Sequence, residues 1–151
     1  MSVPAEPLAA LDVIVGFDGS SPSRRALAQA AATLANRTAV FHVVFVSHMP
    51  ASSGFSPVGY AEVMEAQDQV AAEAEKAVAE ILDAYTIPWS FERRSGGVAD
   101  ELLASARERR SDPDDGTQTI LVVGRSTQAL HHIIGSVPVA LLHRSPYAVV
   151  V

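Results

Sequence analysis

Short apolar runs alternate along the chain with longer segments in which apolar residues recur at helical spacing. The run at residues 13–15 consists of Val and Ile and is too short for a helix. Apolar residues that share one helical face follow it at Leu27, Ala30, Ala31 and Leu34. A strand buried on both faces gives a continuous apolar run. The pattern therefore predicts strands and helices in turn.

Nine elements follow from this pattern. The predicted strands are residues 13–18, 39–46, 88–94, 120–123 and 147–151, and the predicted helices are residues 22–34, 62–85, 98–109 and 137–144, the last with Ser136 as its N-cap. Ser21 is the predicted N-cap of the first helix, with Pro22 at its first position. Strands that alternate with amphipathic helices predict an α/β fold, a doubly wound parallel sheet with helices on both faces.

Two of these elements carry further expectations. The inward stripe predicted for the long second helix is Val70, Ala74, Ala77, Ile81 and Tyr85. The third strand contains Pro88 and two arginines, which favour a position at the edge of the sheet.

The residues between the fourth strand and the last helix have a pattern that suits an anion. Gly124 ends the strand, and Gly135 and Ser136 stand directly before an apolar helix with Pro138 in its first turn. Free backbone N–H groups at a helix start attract anions. An ordinary strand-to-helix connection with normal caps explains the same residues equally well. In doubly wound sheets a ligand binds where strand order reverses, so we expect residues 18–21 and 124–136 to face each other there.

Composition and charge narrow the function classes. The chain has 151 residues, of which 48% are hydrophobic and 19% charged, as expected for one folded domain with residues 1–11 as a flexible leader. A net charge of −6 without a basic block does not indicate a nucleic-acid partner. Cysteine is absent, and no apolar stretch is long enough to indicate a membrane span. We expect a soluble cytoplasmic protein.

No catalytic constellation is visible in the sequence. It contains no G-x-S-x-G, no Walker A lysine and no H-E-x-x-H motif. Arg125 stands in the predicted anion loop without a lysine, which favours binding over fast phosphoryl transfer. His42 is interpreted as a histidine of the core or the sheet face and not as a metal ligand, and the adjacent His131 and His132 cannot share a helix face as a metal pair. We expect no enzyme.

Three segments together resemble the universal stress protein family. They are VIVGFDGSSPSRRAL, then ILVVG with GSVPVALL, and the closing HRSPYAVVV; the likeness runs from about Asp12 to Val151. The resemblance implies a single Rossmann-like domain, similar to adenine nucleotide α-hydrolases, with strand order 3-2-1-4-5. It also implies a homodimer through the last strand, Tyr147 to Val151, and in one branch of the family ATP binding.

The ATP-binding branch has glycine, two residues, glycine, nine residues, glycine and then Ser or Thr. Gly124 matches the first glycine, and Gly135 with Ser136 match the end of the motif. Thr127 replaces the middle glycine, and seven residues instead of nine separate it from Gly135, so the loop is shorter and its tip is less free in conformation. The nucleotide-binding residues that the resemblance implies are Gly16, Phe17, Asp18, Val46, Gly124, Arg125, Ser126, Thr127, Gly135, Ser136 and Val137.

Three functional hypotheses remain at this point. The first is a stress-response or signalling module that binds ATP, with or without Mg²⁺, and has little or no catalysis. The second, motivated by Thr127 and the shortened loop, is a nucleotide-free dimer that acts through protein contacts. The third, an enzyme of the wider adenine nucleotide α-hydrolase class, ranks last because residues 18–21 carry no phosphate-loop motif.

Overall fold

The computed structural model describes residues 9–47, 56–110, 115–125 and 136–151. The strands are β1 (Leu11–Gly16), β2 (Ala39–Ser47), β3 (Trp89–Ser95), β4 (Gln118–Val123) and β5 (Ala148–Val150). The helices are α1 (Ser21–Leu34), α2 (Pro57–Leu82), α3 (Val98–Arg109) and α4 (Ser136–Arg144). All strand pairs are parallel and their order is β3-β2-β1-β4-β5, which confirms the predicted fold class and strand order.

Two apolar layers hold the helices against the sheet. Successive side chains of a strand point to opposite faces, so β1 sends Val13 and Val15 into one layer and Ile14 into the other. The first layer packs against α1 and α2, and its centre is formed by Leu27, Phe41, Val43, Val78 and Leu82. The second packs against α3 and α4, and its centre is formed by Val44, Leu102, Leu121 and Leu141.

The first strand and helix differ slightly from their predicted bounds. The strand β1 begins at Leu11, inside the predicted leader, and ends at Gly16, because the chain turns at Asp18. Phe17 still donates its backbone N–H to Val44 O at 3.0 Å, and this bond extends the ladder by one residue. Ser20 and not Ser21 is the N-cap of α1, since its hydroxyl accepts from the backbone N–H of Ser23.

The long helix α2 corrects two predictions. It begins at Pro57, where Ser56 provides the N-cap, and it ends at Leu82, so both ends lie earlier in the chain than expected. Val70 was predicted to face inward, but it is 49% exposed. The residues of α2 that are buried are Ala71, Ala74, Ala77, Val78 and Leu82. The alanine-rich sequence fits more than one stripe, and packing against the sheet selects the one that contains Val78 and Leu82.

The strand β3 lies at the edge of the sheet, as Pro88 and the arginines predicted. Its Arg94 forms ion pairs with Glu101 at 2.8 Å and with Glu108 at 2.9 Å, both on α3, and with Glu92 at 3.3 Å on its own strand. Arg109 of α3 pairs with Glu92 at 2.9 Å. These contacts, led by the bonds to Glu108 and then Glu101, raise the pKa of Arg94 above its ordinary value. The network attaches α3 to the open edge of the sheet.

Candidate functional site

The carboxyl ends of β1 and β4 form the point where strand order reverses. Gly16 at the end of β1 lies opposite Val123 at the end of β4, and opposite Val44 in β2 on its other side. The chain leaves β1 towards α1 on one face of the sheet and leaves β4 towards α4 on the other face. Such a divergence opens a crevice at the carboxyl ends of these two strands, which is where doubly wound proteins bind ligands. The described residues around it are 16–20 and 124–125.

The turn after β1 is fixed by its own hydrogen bonds. Asp18 Oδ1 accepts from the backbone N–H of Ser20 at 2.9 Å, and Gly19 between them has φ of +79°, a conformation that favours glycine. The hydroxyl of Ser23 donates to the carbonyl oxygen of Ser20 at 3.0 Å. The Asp18 side chain remains exposed at this rim, so its carboxylate both holds the turn and is open to a ligand.

The hydrogen bonds of the turn also act on the charge of Asp18. Partial loss of hydration within the turn raises the pKa of Asp18, but the hydrogen bonds from Ser20 and Ser23 outweigh that effect. Its pKa therefore lies below the ordinary value. At neutral pH the rim of the crevice carries a full negative charge at this position.

Gly124 joins the two sides of the crevice. A Cβ on Gly124 would lie 2.6 Å from the carbonyl carbon of Pro22, 2.7 Å from its oxygen and 2.7 Å from the backbone nitrogen of Ser23. These atoms belong to the first turn of α1, so only a residue without a side chain fits where β4 ends. This is the close approach of backbones for which a glycine is needed.

Two arginines lie close to the carboxyl ends of β1 and β4. Arg125 follows Gly124 and is exposed. Arg24, which the sequence interpretation did not single out, donates from Nε to the carbonyl oxygen of Gly19 at 2.8 Å and is thereby tied to the turn that carries Asp18. Arg24 could have been found from the sequence, because it lies one turn into the helix that was predicted to start at the crevice. Arg24 adds positive charge beside the turn that carries Asp18, and Arg125 adds positive charge directly after the end of β4.

The other described residues of the predicted site, apart from Ser136, are apolar or glycine, and the apolar side chains pack in the core layers and offer no polar groups to a ligand. Phe17 is 3% exposed and packs in the α1–α2 layer, so its side chain belongs to the core. Val46 and Val137 are half-buried and pack against the α3–α4 layer. A Cβ on Gly16 would meet only side-chain atoms, Leu102 Cδ1 at 3.0 Å and Val123 Cγ1 at 3.3 Å.

The remaining predicted site residues cannot be placed in the crevice. Ser126, Thr127 and Gly135 lie outside the described residues, as do His131 and His132. Ser136 is the first residue of α4, the helix that follows the predicted anion loop. Pro138 is buried in its first turn, where proline is well tolerated.

A second polar group lies across the N-terminal halves of three strands. His42 of β2 has Nε2 2.9 Å from Asp12 Oδ1 of β1 and Nδ1 3.1 Å from Ser90 Oγ of β3. The connectivity is that of a Ser–His–Asp relay, but Ser90 stands inside a strand and not on a turn that would free its hydroxyl for attack. His42 is 9% exposed and lies on the sheet face, as predicted. We interpret the three residues as a structural link between neighbouring strands.

The described ranges contain neither a cluster of metal ligands nor a helix suited to span a membrane. No group of three or more His, Cys, Asp or Glu residues is arranged to hold a metal ion within residues 9–47, 56–110, 115–125 and 136–151. In the same part of the chain, no helix combines the length and the apolar character needed to cross a bilayer.

Comparison with known proteins gives a family match over nearly the whole chain. The model of the universal stress protein family matches residues 11–151. Among curated proteins no sequence matches this chain.

Solved structures with the same fold agree with the family match. The universal stress protein UspA from Lactobacillus plantarum is 16% identical, with a TM-score of 0.76 over 95% of this chain and 97% of that one. A universal stress protein in complex with cAMP is 21% identical, with a TM-score of 0.64 over 95% and 97%. A family protein from Arabidopsis thaliana with AMP bound is 11% identical, with a TM-score of 0.63 over 93% and 89%. At these identities the likeness establishes the fold.

Proposed function

Because the chain belongs to the universal stress protein family, we propose that it binds an adenine nucleotide in the crevice between β1 and β4. The nucleotide of first choice is ATP, with or without Mg²⁺, and the protein acts as a stress-response or signalling module in the cytoplasm. Little or no catalysis accompanies binding. Two similar structures carry cAMP and AMP, which makes these nucleotides useful probes.

The observation that carries the proposal is the meeting of Asp18 and Gly124 at the point where strand order reverses. The first turn of α1, which follows Asp18, lies in backbone contact with Gly124, so the turn after β1 and the end of β4 border one crevice. An exposed carboxylate and two arginines at one rim suit a ligand that has both sugar hydroxyls and phosphates. Asp18 is the group to accept hydrogen bonds from ribose or to bind Mg²⁺. Arg125 and Arg24 are the groups to face phosphate.

The distribution of cationic residues supports binding without phosphoryl transfer. Lys76 is the only lysine in the sequence, and it lies in the second half of α2. Phosphoryl-transfer enzymes place a lysine or arginine and metal ligands directly on the transferred group. Arg24 is already bonded to the carbonyl of Gly19, which suits a fixed binding group. A slow background hydrolysis of bound ATP is the most that this arrangement supports.

Nucleotide carried through purification provides the first test. The protein is denatured and removed, and the supernatant is run on ion-exchange chromatography beside ATP, ADP, AMP and cAMP standards. Isothermal titration of the nucleotide-free protein with AMP, cAMP and ATP·Mg²⁺ follows. A stoichiometric nucleotide peak or saturable heat supports the proposal. An empty trace together with no heat from any of the three nucleotides would overturn it.

A homodimer is the second part of the proposal and the basis of the alternative function. The strand β5 ends the sheet order, and large apolar side chains are exposed on α4 at Val139 and Leu142, on β5 at Val150 and directly after it at Val151. An edge strand with an exposed apolar surface favours pairing with a second copy across a two-fold axis. If no nucleotide binds, Thr127 and the shortened loop favour a nucleotide-free dimer that acts through protein contacts.

A further inference from the structure

We propose that Gly124 is a positioning residue, which sets the distance between the two sides of the crevice through backbone contact with the first turn of α1. This inference rests on the proposed nucleotide site, because it explains how Asp18 is held relative to the end of β4. It assigns to Gly124 an action through α1, in addition to any contact of its own with phosphate.

The contact is unusual because all three nearest atoms are backbone. Pro22 C, Pro22 O and Ser23 N lie 2.6–2.7 Å from the position of a Cβ on Gly124, whereas ordinary contact begins at 3.4 Å. A methyl group there has no side chain to push aside. Either the first turn of α1 or the end of β4 must move by more than half an ångström. The β4 end is held by its ladder with β1, so we expect α1 to move.

Such a movement reaches Asp18 through two hydrogen bonds. The Ser23 nitrogen that the methyl group would press against donates to the Ser20 hydroxyl at 3.4 Å. The Ser20 nitrogen in turn donates to Asp18 Oδ1 at 2.9 Å. Displacing Ser23 therefore disturbs the N-cap of α1 and then the turn that presents the Asp18 carboxylate. The contact of Gly124 is thus coupled to a charged group on the opposite rim.

Gly16 supplies a matched control at the end of the neighbouring strand. A Cβ on Gly16 would meet Leu102 Cδ1 at 3.0 Å and Val123 Cγ1 at 3.3 Å, which are tips of side chains. These side chains need to shift by only a few tenths of an ångström, and no backbone atom lies against the added methyl group. Both glycines lie at the same edge of the sheet, so Gly16→Ala and Gly124→Ala add the same methyl group in similar surroundings. Only the second places it against α1.

The test compares the two variants by NMR and by titration with AMP. We expect Gly124→Ala to speed hydrogen exchange at the Ser20 and Ser23 amides about ten-fold and to shift their resonances, with the amides of β2 unchanged. We also expect about ten-fold weaker AMP binding, since misplacing a site by about 1 Å has large effects. Gly16→Ala should leave the two amides as they are. Equal effects of both variants on the Ser20 and Ser23 amides, or none from Gly124→Ala, would overturn the proposal.

A double-mutant cycle separates positioning from general destabilisation. Ser20→Ala removes the N-cap and the middle of the same path, so Gly124→Ala and Ser20→Ala should weaken AMP binding by less together than the sum of their separate effects. Strict additivity would count against a shared path. If the wild type binds none of ATP, AMP and cAMP, the proposed function fails, and the amide comparison still decides whether Gly124 positions α1.

The wild type offers a further test should Gly124→Ala not fold. On titration with AMP, the amide resonances of Ser20, Ser23 and Gly124 should move with one common dissociation constant. A response of Gly124 without any response of Ser20 and Ser23 would overturn the inference.

Discussion

Asp18 and Asp115 form the same kind of turn at opposite ends of the central strands, one after β1 and the other before β4. Each is followed by a glycine with positive φ, Gly19 at +79° and Gly116 at +75°. In each turn the aspartate Oδ1 accepts from the backbone N–H two residues on, at 2.9 Å from Ser20 and 2.7 Å from Thr117. Asp18 follows β1 at its carboxyl end, whereas Asp115 precedes β4 at its amino end. The turn itself is therefore a structural motif, and only its place at the crevice makes Asp18 a candidate ligand residue.

This pair allows the charge of Asp18 to be tested apart from its turn. In Asp18→Asn the amide oxygen can still accept from Ser20, so the turn remains while the negative charge is lost. A hydrogen bond to a charged group contributes about 1.5–3 kcal/mol, so we expect AMP binding to weaken by at least ten-fold. The melting temperature should fall only slightly, because the hydrogen bonds of the turn favour the charged form of Asp18 but the side chain is exposed. Isothermal titration and thermal unfolding measure the two effects.

Asp115→Asn is the control for this charge experiment. It makes the same chemical change in the same kind of turn, away from the crevice, and should leave AMP affinity at the wild-type value. If both variants bind AMP as the wild type does, Asp18 is only a turn residue. If both weaken binding equally, the effect comes from net charge and not from the site.

The sequence predicted the alternation of elements because each strand is a short continuous apolar run and the helices have apolar faces. It could not set the inward stripe of α2, where alanines surround Val70 and Val78 and either valine could face the sheet. In the structure Val78 is buried and Val70 is exposed. Packing against neighbouring elements decides between such near-equal stripes, and that information lies in residues far away in the sequence. Strand order came from the family resemblance and not from periodicity.

The candidate site, too, could be predicted from the sequence only in part. The predicted topology put Asp18 and Gly124 at the same end of the sheet, because adjacent parallel strands have their carboxyl ends on the same side. The backbone contact of Gly124 with Pro22 depends on the exact height of α1 over the sheet, which no local pattern encodes. The bond from Arg24 to the Gly19 carbonyl likewise needs the turn geometry first.

The relay of Asp12, His42 and Ser90 is expected to contribute to stability. His42→Leu removes the partner of both the Asp12 carboxylate and the Ser90 hydroxyl, and leaving partly buried polar groups unpaired costs about 1–3 kcal/mol. Ser90→Ala removes one bond and should cost about 1 kcal/mol. Urea unfolding at pH 7 measures both free energies. A His42→Leu protein as stable as the wild type would show that the relay contributes nothing.

Nucleotide binding offers a control for the relay variants. Asp12 precedes Gly16 by four residues, about 13 Å along the strand, so the relay lies well away from the crevice. Both variants should therefore keep the AMP affinity of the wild type. A loss of affinity that exceeds the loss expected from partial unfolding would mean that the relay and the crevice are coupled.

Acid should destabilise the protein partly through Glu92. Burial raises the pKa of Glu92, but the nearby Ser105 hydroxyl and the guanidinium groups of Arg109 and Arg94 outweigh it, so the pKa is lowered. A carboxyl with a lowered folded-state pKa stabilises the fold above its unfolded pKa, near 4.5, and this contribution is lost as pH falls through the folded pKa. We expect Glu92→Gln to be less stable by about 1–2 kcal/mol at pH 7, with the difference shrinking below about pH 4.5.

Urea midpoints measured from pH 7 to pH 3 give this comparison. Glu73→Gln, which removes an exposed carboxylate from α2, is the control and should run parallel to the wild type. Asp18 and Glu108 also have lowered pKa values, so the wild type and Glu92→Gln should both lose stability in acid. A constant difference between wild type and Glu92→Gln across this range would contradict the assignment.

The exposed apolar surface of α4 and β5 should hold two copies together. Val150 of β5 is 52% exposed and lies near the end of a strand that has one neighbour, β4, among the described elements. A lysine there would place a charge within the paired edge, where it would lose hydration without an opposite charge in a symmetric contact. We therefore expect a dimer in the wild type and a monomer in Val150→Lys, measured by sedimentation velocity at micromolar concentration.

Val58→Lys on α2, at a residue that is 70% exposed, is the matched control and should remain dimeric. A monomeric wild type, or dissociation by Val58→Lys as well, would contradict pairing through β5.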